Sequence, residues 1–138
     1  MTPSFGEWPD VLLETKESFL AAVQGHTSGT RVLSAPKKWS DHLRFEPGQW
    51  KSEPRIFKEN PGWRVLNPGV VSGELIVANL NTLLTAAGTD YFPDLGGKIL
   101  LIEEMEAPLA MEERNLRHLE RLGVFEEITG LIVGKPEP

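Results

Sequence analysis

The segment of residues 73–106 contains the pattern of a strand, a helix and a second strand, and it constrains the fold more than any other part of the chain. Residues 73–77 are apolar and partly β-branched, as in a short buried strand. Asn79 can cap a small helix whose apolar face consists of leucines, and Gly88 can end it. Residues 98–102 then contain four branched aliphatic side chains, which predict a strand buried on both faces.

The remaining sequence adds helices and strands around this unit. The predicted elements are a helix from Thr15 to Gly25, strands over 62–65, 70–77 and 128–133, and a helix over 111–122. Strands that alternate with helices predict an α/β domain with a small mixed sheet and helices packed on it. At 138 residues, we expect the whole chain, 1–138, to form a single domain.

Composition argues against several classes of protein. A net charge of −6 without a basic patch argues against a general nucleic-acid-binding protein. No apolar stretch approaches the roughly 20 residues that cross a bilayer, so we expect no membrane association. The absence of cysteine excludes disulfides and thiolate metal sites and fits a cytoplasmic protein. We expect no cofactor.

Acidic residues follow the second predicted strand directly. They are Glu103, Glu104 and Glu106. In α/β domains a strand end fixes a side chain while the following loop exposes it, so Glu103 is a candidate site residue. The alternative, which the spacing alone favours, is that all three acids are solvated. We expect Glu104 and Glu106 to be supporting acids, with solvated charge as the default. Their ligand type would suit a metal ion, but no supporting ligand spacing is present, so we expect no metal site.

Two longer motifs give the chain a family resemblance. They are NLNTL at 79–83 and GTDYFPDLGGKILLIEE at 88–104. In this order they resemble the C-terminal domain of the LD-carboxypeptidases, particularly the branch of microcin self-immunity proteins, which are serine peptidases with a Ser–Glu–His triad. The resemblance implies a small swivelling β/β/α-like domain. It also implies that this chain is a truncated C-terminal domain of a two-domain enzyme.

The resemblance assigns roles to individual residues. Glu103 stands where the family has the acidic member of the triad, which orients the histidine. Asn79 stands in the family's GGNL motif, although this chain has Val77 and Ala78 in place of the two glycines. Asn79 either lines the substrate pocket or simply caps the helix. Arg114 stands near the family's DR motif and either pairs with an acid or lies on a helix surface.

Tryptophans are concentrated in the Pro- and Gly-rich segment 36–68. The family carries aromatic residues near the ligand in this region, so Trp39 and Trp50 are candidates for substrate binding by stacking. The alternative, which we favour on residue type alone, is that these indoles cover a thin core.

The other two members of the triad are not recognisable in the sequence. None of His26, His42 and His118 lies near the C-terminus in the GH motif that carries the family's catalytic base. Ser40 precedes Asp41, as in the family's GxSD motif, but no glycine-rich turn surrounds it. The resemblance implies that the serine lies in a missing N-terminal domain and the histidine beyond the last strand. We therefore expect this chain to be inactive by itself.

The resemblance implies a function for the parent protein. It would hydrolyse an amide next to a free carboxylate, in a murein tetrapeptide or in an aminoacyl-nucleotide of the microcin type, and a homodimer is possible. Two other classes stay open from the residues alone: a ligand-binding module without chemistry, and a structural domain whose acids are solvated.

Overall fold

The computed structural model describes residues 11–25, 32–42, 44, 48–105 and 107–135, with the side chain of Trp50 excepted. The chain divides into two compact units, Met1–Leu66 and Asn67–Pro138. None of the helices in these described ranges has the length and apolar character needed to cross a membrane.

The first unit contains short elements. They are helix α1 (Leu13–Val23), strand β1 (Lys38–Trp39), helix α2 (Gln49–Ser52) and strand β2 (Lys58–Glu59). Strands β1 and β2 pair antiparallel, with Trp39 opposite Lys58. Helix α1 begins after Leu12, so Thr15, the predicted start and N-cap of this helix, lies inside its first turn, and that prediction is wrong. Glu14 in that turn is favourable at the positive end of the helix.

The second unit is a three-stranded parallel sheet with helices. Its elements are β3 (Leu75–Asn79), α3 (Leu80–Thr85), β4 (Ile99–Glu103), α4 (Leu109–Arg121), α5 (Val124–Glu127) and β5 (Gly130–Val133). The strand order is β3-β4-β5, so β4 is central. Parallel strands need crossover connections, and α3 and the helices α4 and α5 lie in those connections.

The hydrophobic core of the second unit lies between one face of the sheet and the helices. Leu100 and Ile102 alternate along β4 and are buried. They form one cluster with Leu83 of α3, Leu119 of α4 and Val124 of α5. Burying a side chain of this size contributes about 1.5–3 kcal/mol, so these contacts hold the helices to the sheet.

The opposite face of the sheet is formed by the other set of alternating residues in each strand. In register, Val77 lies beside Leu101, and Leu101 lies beside Ile132. Val77 is 60% exposed and Ile132 47% exposed, whereas Leu101 of the central strand is half-buried. Asn79 and Glu103 continue the same face at the carboxyl end of the sheet, because side chains two residues apart point to the same side.

The α/β class is confirmed, and the differences concern boundaries. Within the described residues no strand forms at 62–65, and β3 starts at Leu75 and extends to Asn79. Backbone pairing to β4 begins only where Ile99 N donates to Glu74 O, at 2.8 Å. Just before it, a Cβ on Gly73 would lie 2.8 Å from Gly97 O. Gly73, the predicted start of the strand, therefore lies before β3, where two segments of the chain pass close to each other.

Candidate functional site

The carboxyl ends of β3 and β4 bring the predicted site residues together. Asn79 is the last residue of β3 and Glu103 the last of β4, and the two are partners in the parallel register. Asn79 Nδ2 donates a hydrogen bond to Glu103 Oε1 at 3.3 Å. The carboxyl ends of neighbouring parallel strands are where open α/β sheets bind ligands, so the position suits a functional site.

Asn79 also caps helix α3. Its Oδ1 accepts hydrogen bonds from Thr82 N at 2.9 Å and from Thr82 Oγ1 at 3.0 Å. Its Nδ2 donates to Glu103 and, at 3.0 Å, to Glu104 Oε1. An amide offers two N–H groups and an oxygen that can accept two hydrogen bonds, so these four contacts use its full capacity. The backbone N–H of Thr82 fixes which end of the amide faces the carboxylates.

Glu104 is the most constrained of the acids. Its Oε2 accepts from Asn81 N at 3.0 Å, and its Oε1 accepts from Met105 N at 3.2 Å and from Asn79. Partial burial acts to raise the pKa of this carboxyl, but the hydrogen bonds from Asn79, Asn81 and Met105 outweigh it and lower the pKa below its usual 4.5. Glu104 is half-buried and anchored to the start of α3, so the default of a solvated charge does not hold for it, whereas its role as a supporting acid stays a prediction.

Glu103 is exposed at the end of β4. Within the described part of the chain, its Oε2 accepts no hydrogen bond, whereas Oε1 is held by Asn79. Gly134, which follows β5, is its neighbour: a Cβ there would lie 3.0 Å from Glu103 Cβ. Glu103 therefore presents one fixed and one open carboxylate oxygen, the arrangement that a partner N–H group from outside the described residues could use.

Trp39 is fixed within the first unit. Its indole Nε1 donates to Glu59 O at 3.2 Å, and the Lys58 ammonium lies 5.5 Å from the ring centroid. These contacts tie β1 to β2. These contacts do not test whether Trp39 stacks on a substrate or covers a core, so both roles stay predictions. The side chain of Trp50, the other candidate, lies outside the described residues, as do Glu106 and His26.

His42 and Ser40 are hydrogen-bonded within the first unit. His42 Nδ1 accepts from Ile56 N at 3.2 Å, and Ser40 Oγ donates to Ile56 O at 2.7 Å. Ser40 thus bonds to a backbone carbonyl and not to a base, in keeping with our rejection of it as the nucleophile. His118 and Arg114 lie on the exposed surface of α4.

Metal binding is not indicated where the chain is described. In those residues no group of three or more His, Cys, Asp or Glu side chains is placed to hold a metal ion. The candidate site therefore consists of the amide of Asn79 and the carboxylates of Glu103 and Glu104 at the carboxyl end of the sheet.

Sequence reasoning missed Thr82, Gly134 and the anchoring role of Glu104. The signal for Thr82 was present, because the spacing from Asn79 to Thr82 in NLNTL is that of a cap residue and the N–H it accepts from. Gly134 follows the last strand at the register position beside Glu103, which is readable only once the strand pairing is known.

Comparison with known proteins gives the same family that the motifs suggested. Residues 72–138 match the LD-carboxypeptidase C-terminal domain. The chain is similar to the microcin C7 self-immunity protein MccF of Escherichia coli, with 33% identity over 139 residues, covering 99% of this chain and 40% of that protein. A shorter similarity, 34% identity over 49% of this chain and 21% of the relative, is to a Bacillus subtilis protein named "Probable murein peptide carboxypeptidase".

The similarity extends to the fold. The structure of MccF in complex with glutamyl sulfamoyl guanosine matches 98% of this chain and 40% of its own length, with a TM-score of 0.83 and 32% identity. A second MccF structure, in complex with aspartyl sulfamoyl adenosine, matches with a TM-score of 0.82 and 31% identity over the same shares. The chain thus spans about 40% of the length of these relatives.

Proposed function

We propose, from the premise that residues 72–138 belong to the LD-carboxypeptidase C-terminal domain family, that this chain supplies the acidic residue of a Ser–Glu–His triad. Glu103 is that residue. The serine and the histidine are contributed by parts of the enzyme other than the residues described, with the serine in an N-terminal domain. The reaction is hydrolysis of an amide bond next to a free carboxylate.

The proposed chemistry assigns each oxygen of Glu103 a task. Oε1 is held by Asn79, and Oε2 accepts a hydrogen bond from the imidazole N–H. That bond selects the tautomer whose other nitrogen can take the proton of the serine, and the negative charge stabilises the imidazolium that forms. Acylation of the serine and hydrolysis of the acyl-enzyme follow, with the oxyanion stabilised by donors of the other domain.

The observation that carries the proposal is the placement of Glu103 at the carboxyl end of the central strand β4. The strand fixes the backbone, Asn79 fixes one oxygen, and Gly134, which has no side chain, allows the chain to pass close beside Glu103. A merely solvated acid would need none of these supports. The family match adds a reason for this acid in particular, since Glu103 ends the KILLIE stretch that the resemblance aligns with the family's catalytic strand.

The substrate class that we propose is an aminoacyl-nucleotide. MccF has been solved with aspartyl sulfamoyl adenosine, and the similarity to MccF covers 99% of the chain. The similarity to the protein named for murein peptides covers 49%. A murein tetrapeptide with an LD bond is therefore the second candidate substrate. Trp39 and Trp50 are proposed to stack on the nucleobase in the first case.

Asn79 takes a different role in this proposal from direct substrate binding. Its amide already makes four hydrogen bonds, so a substrate contact would have to replace one of them. Holding Glu103 requires no such exchange. A substrate contact by Asn79 remains a prediction, which a complex with bound ligand would test.

We also propose a cytoplasmic enzyme that forms a homodimer. The absence of cysteine fits a reducing compartment, and the family resemblance implies the dimer. Light scattering on the whole protein that contains this chain tests the oligomeric state directly.

The experiment that tests the function is a hydrolysis assay on that whole protein. We expect release of aspartate from aspartyl sulfamoyl adenosine, and a smaller or no release of the terminal residue from an LD-tetrapeptide. The chain of 138 residues alone is the matched control and should be inactive on both. If neither compound is cleaved but the nucleotide binds stoichiometrically, the protein is a ligand-binding module and the enzymatic proposal is wrong.

A further inference from the structure

Glu104 is better anchored than Glu103, although the triad proposal gives it no task. Its two oxygens accept from two backbone N–H groups, those of Asn81 and Met105, and from the Asn79 side chain. One of these backbone groups belongs to the first turn of α3 and the other to the loop after β4. Glu104 therefore ties together the two segments that follow β3 and β4.

We infer that Glu104 is a positioning residue for Glu103, acting through the amide of Asn79. Each of the two N–H groups of Asn79 Nδ2 serves one carboxylate, Glu104 at 3.0 Å and Glu103 at 3.3 Å. With one N–H directed at the anchored Glu104, the other is directed at Glu103 Oε1. The inference rests on the proposed function, because it concerns how the acid of the triad is held.

The amide of Asn79 is held at both ends. Thr82 holds the oxygen end, and because the planar amide rotates as one unit, a shift of its NH₂ group would also strain the hydrogen bonds to Thr82. Glu104 holds the NH₂ end, and its own position is set by backbone donors. Glu103 has no such backbone donor among the described residues, so its orientation depends on Asn79.

The positioning role predicts a specific kinetic pattern in the whole enzyme. Glu104→Gln replaces one accepting carboxylate oxygen with an NH₂ group. The amide of Asn79 is then no longer held in place by residue 104, and Glu103 shifts with it. We expect kcat to fall about 10- to 100-fold, the cost typical of a small misplacement of a catalytic group, with KM within about twofold of wild type.

A double-substitution cycle separates this role from a structural one. If Glu104 acts through Glu103, then Glu104→Gln has no further effect on kcat in a Glu103→Gln background, because residues that act as a unit are not additive. Leu84→Ala, which shortens a side chain of α3 that packs against the core cluster, is the control for loss of stability. It should lower the melting temperature and leave kcat per folded enzyme unchanged.

The outcomes distinguish the two proposals. If Glu103→Gln keeps near-normal kcat, the proposed function fails. If Glu103→Gln inactivates the enzyme while Glu104→Gln stays within twofold of wild type, only the positioning role fails. A loss in Glu104→Gln that multiplies with the loss in Glu103→Gln would also overturn the positioning role, since it would show independent effects.

Discussion

Asn79 and Glu103 face each other across the β3–β4 pair, and Asn79 Nδ2 donates to Glu103 Oε1 at 3.3 Å. The same Asn79 starts helix α3 by accepting from Thr82 N. A single side chain thus joins the end of a strand, the start of a helix and the candidate catalytic acid. The same substitutions at these residues should therefore change both the stability of the chain and the proposed catalytic activity.

Removal of the Asn79 side chain should destabilise the chain. Asn79→Ala loses the helix cap, which costs about 0.5–2 kcal/mol, and leaves Glu104 without its side-chain donor. Urea unfolding followed by circular dichroism measures the loss. Asn81→Ala is the matched control, because Asn81 is exposed and its backbone N–H is retained; we expect a change within about 0.5 kcal/mol. Equal effects of the two variants would contradict the role of Asn79.

The lowered pKa of Glu104 makes part of the stability depend on pH. The folded-state pKa lies below the usual 4.5, so the ionised carboxylate contributes stability above that value, and the contribution is lost as the pH falls through the folded-state pKa. The stability difference between wild type and Glu104→Gln should therefore shrink as the pH is lowered from about 6 to about 3. Urea unfolding at several pH values tests this, and a difference that grows on acidification would contradict it.

Gly134 should be sensitive to even a methyl group. A Cβ would meet Glu103 Cβ at 3.0 Å and Ile102 O at 3.3 Å, so Gly134→Ala should displace Glu103 and cost about 1 kcal/mol. NMR chemical shifts of the Glu103 side chain report the displacement. Gly69→Ala is the control, because nothing lies within 4 Å of its added Cβ. Unchanged Glu103 shifts in Gly134→Ala would show that the space beside Glu103 is not restricted.

The core of the second unit should depend strongly on Leu100. It is 0% exposed, and Leu100→Ala should cost about 2–5 kcal/mol through lost burial and the cavity left behind. Its register partner Leu131 is 42% exposed, so Leu131→Ala should cost about 1 kcal/mol or less. Thermal unfolding of both variants checks the contrast. A similar loss in the two would mean that burial on this face of the sheet does not fall from the central strand β4 to the edge strand β5, as the structure describes.

The sequence was informative where local signals and packing agree. The aliphatic run of β4 and the apolar spacing of α4 predicted a buried strand and a helix with errors of about two residues. The strand predictions over 62–65 and 70–72 are wrong, because an apolar segment has the sequence pattern of a strand whether or not a partner strand is present to pair with it.

The site was predictable only in part, for a physical reason. Glu103 and Asn79 could be chosen because each ends or follows a recognisable strand in a familiar motif. The contacts of Glu104 could not, because its donors lie in segments 23 and 25 residues away as well as next to it, and only the parallel register brings these together. Gly134 likewise acquires meaning only from strand pairing.

The most direct test of the central claim is the turnover of the whole protein carrying Glu103→Gln. The substitution keeps the size of the side chain and its acceptor for Asn79 but removes the charge that would stabilise an imidazolium. We expect kcat for aspartyl sulfamoyl adenosine to fall by about 10³- to 10⁴-fold, as when the acid of a serine-peptidase triad is neutralised. Turnover within threefold of wild type, in a protein with unchanged melting temperature, would contradict the assignment of Glu103.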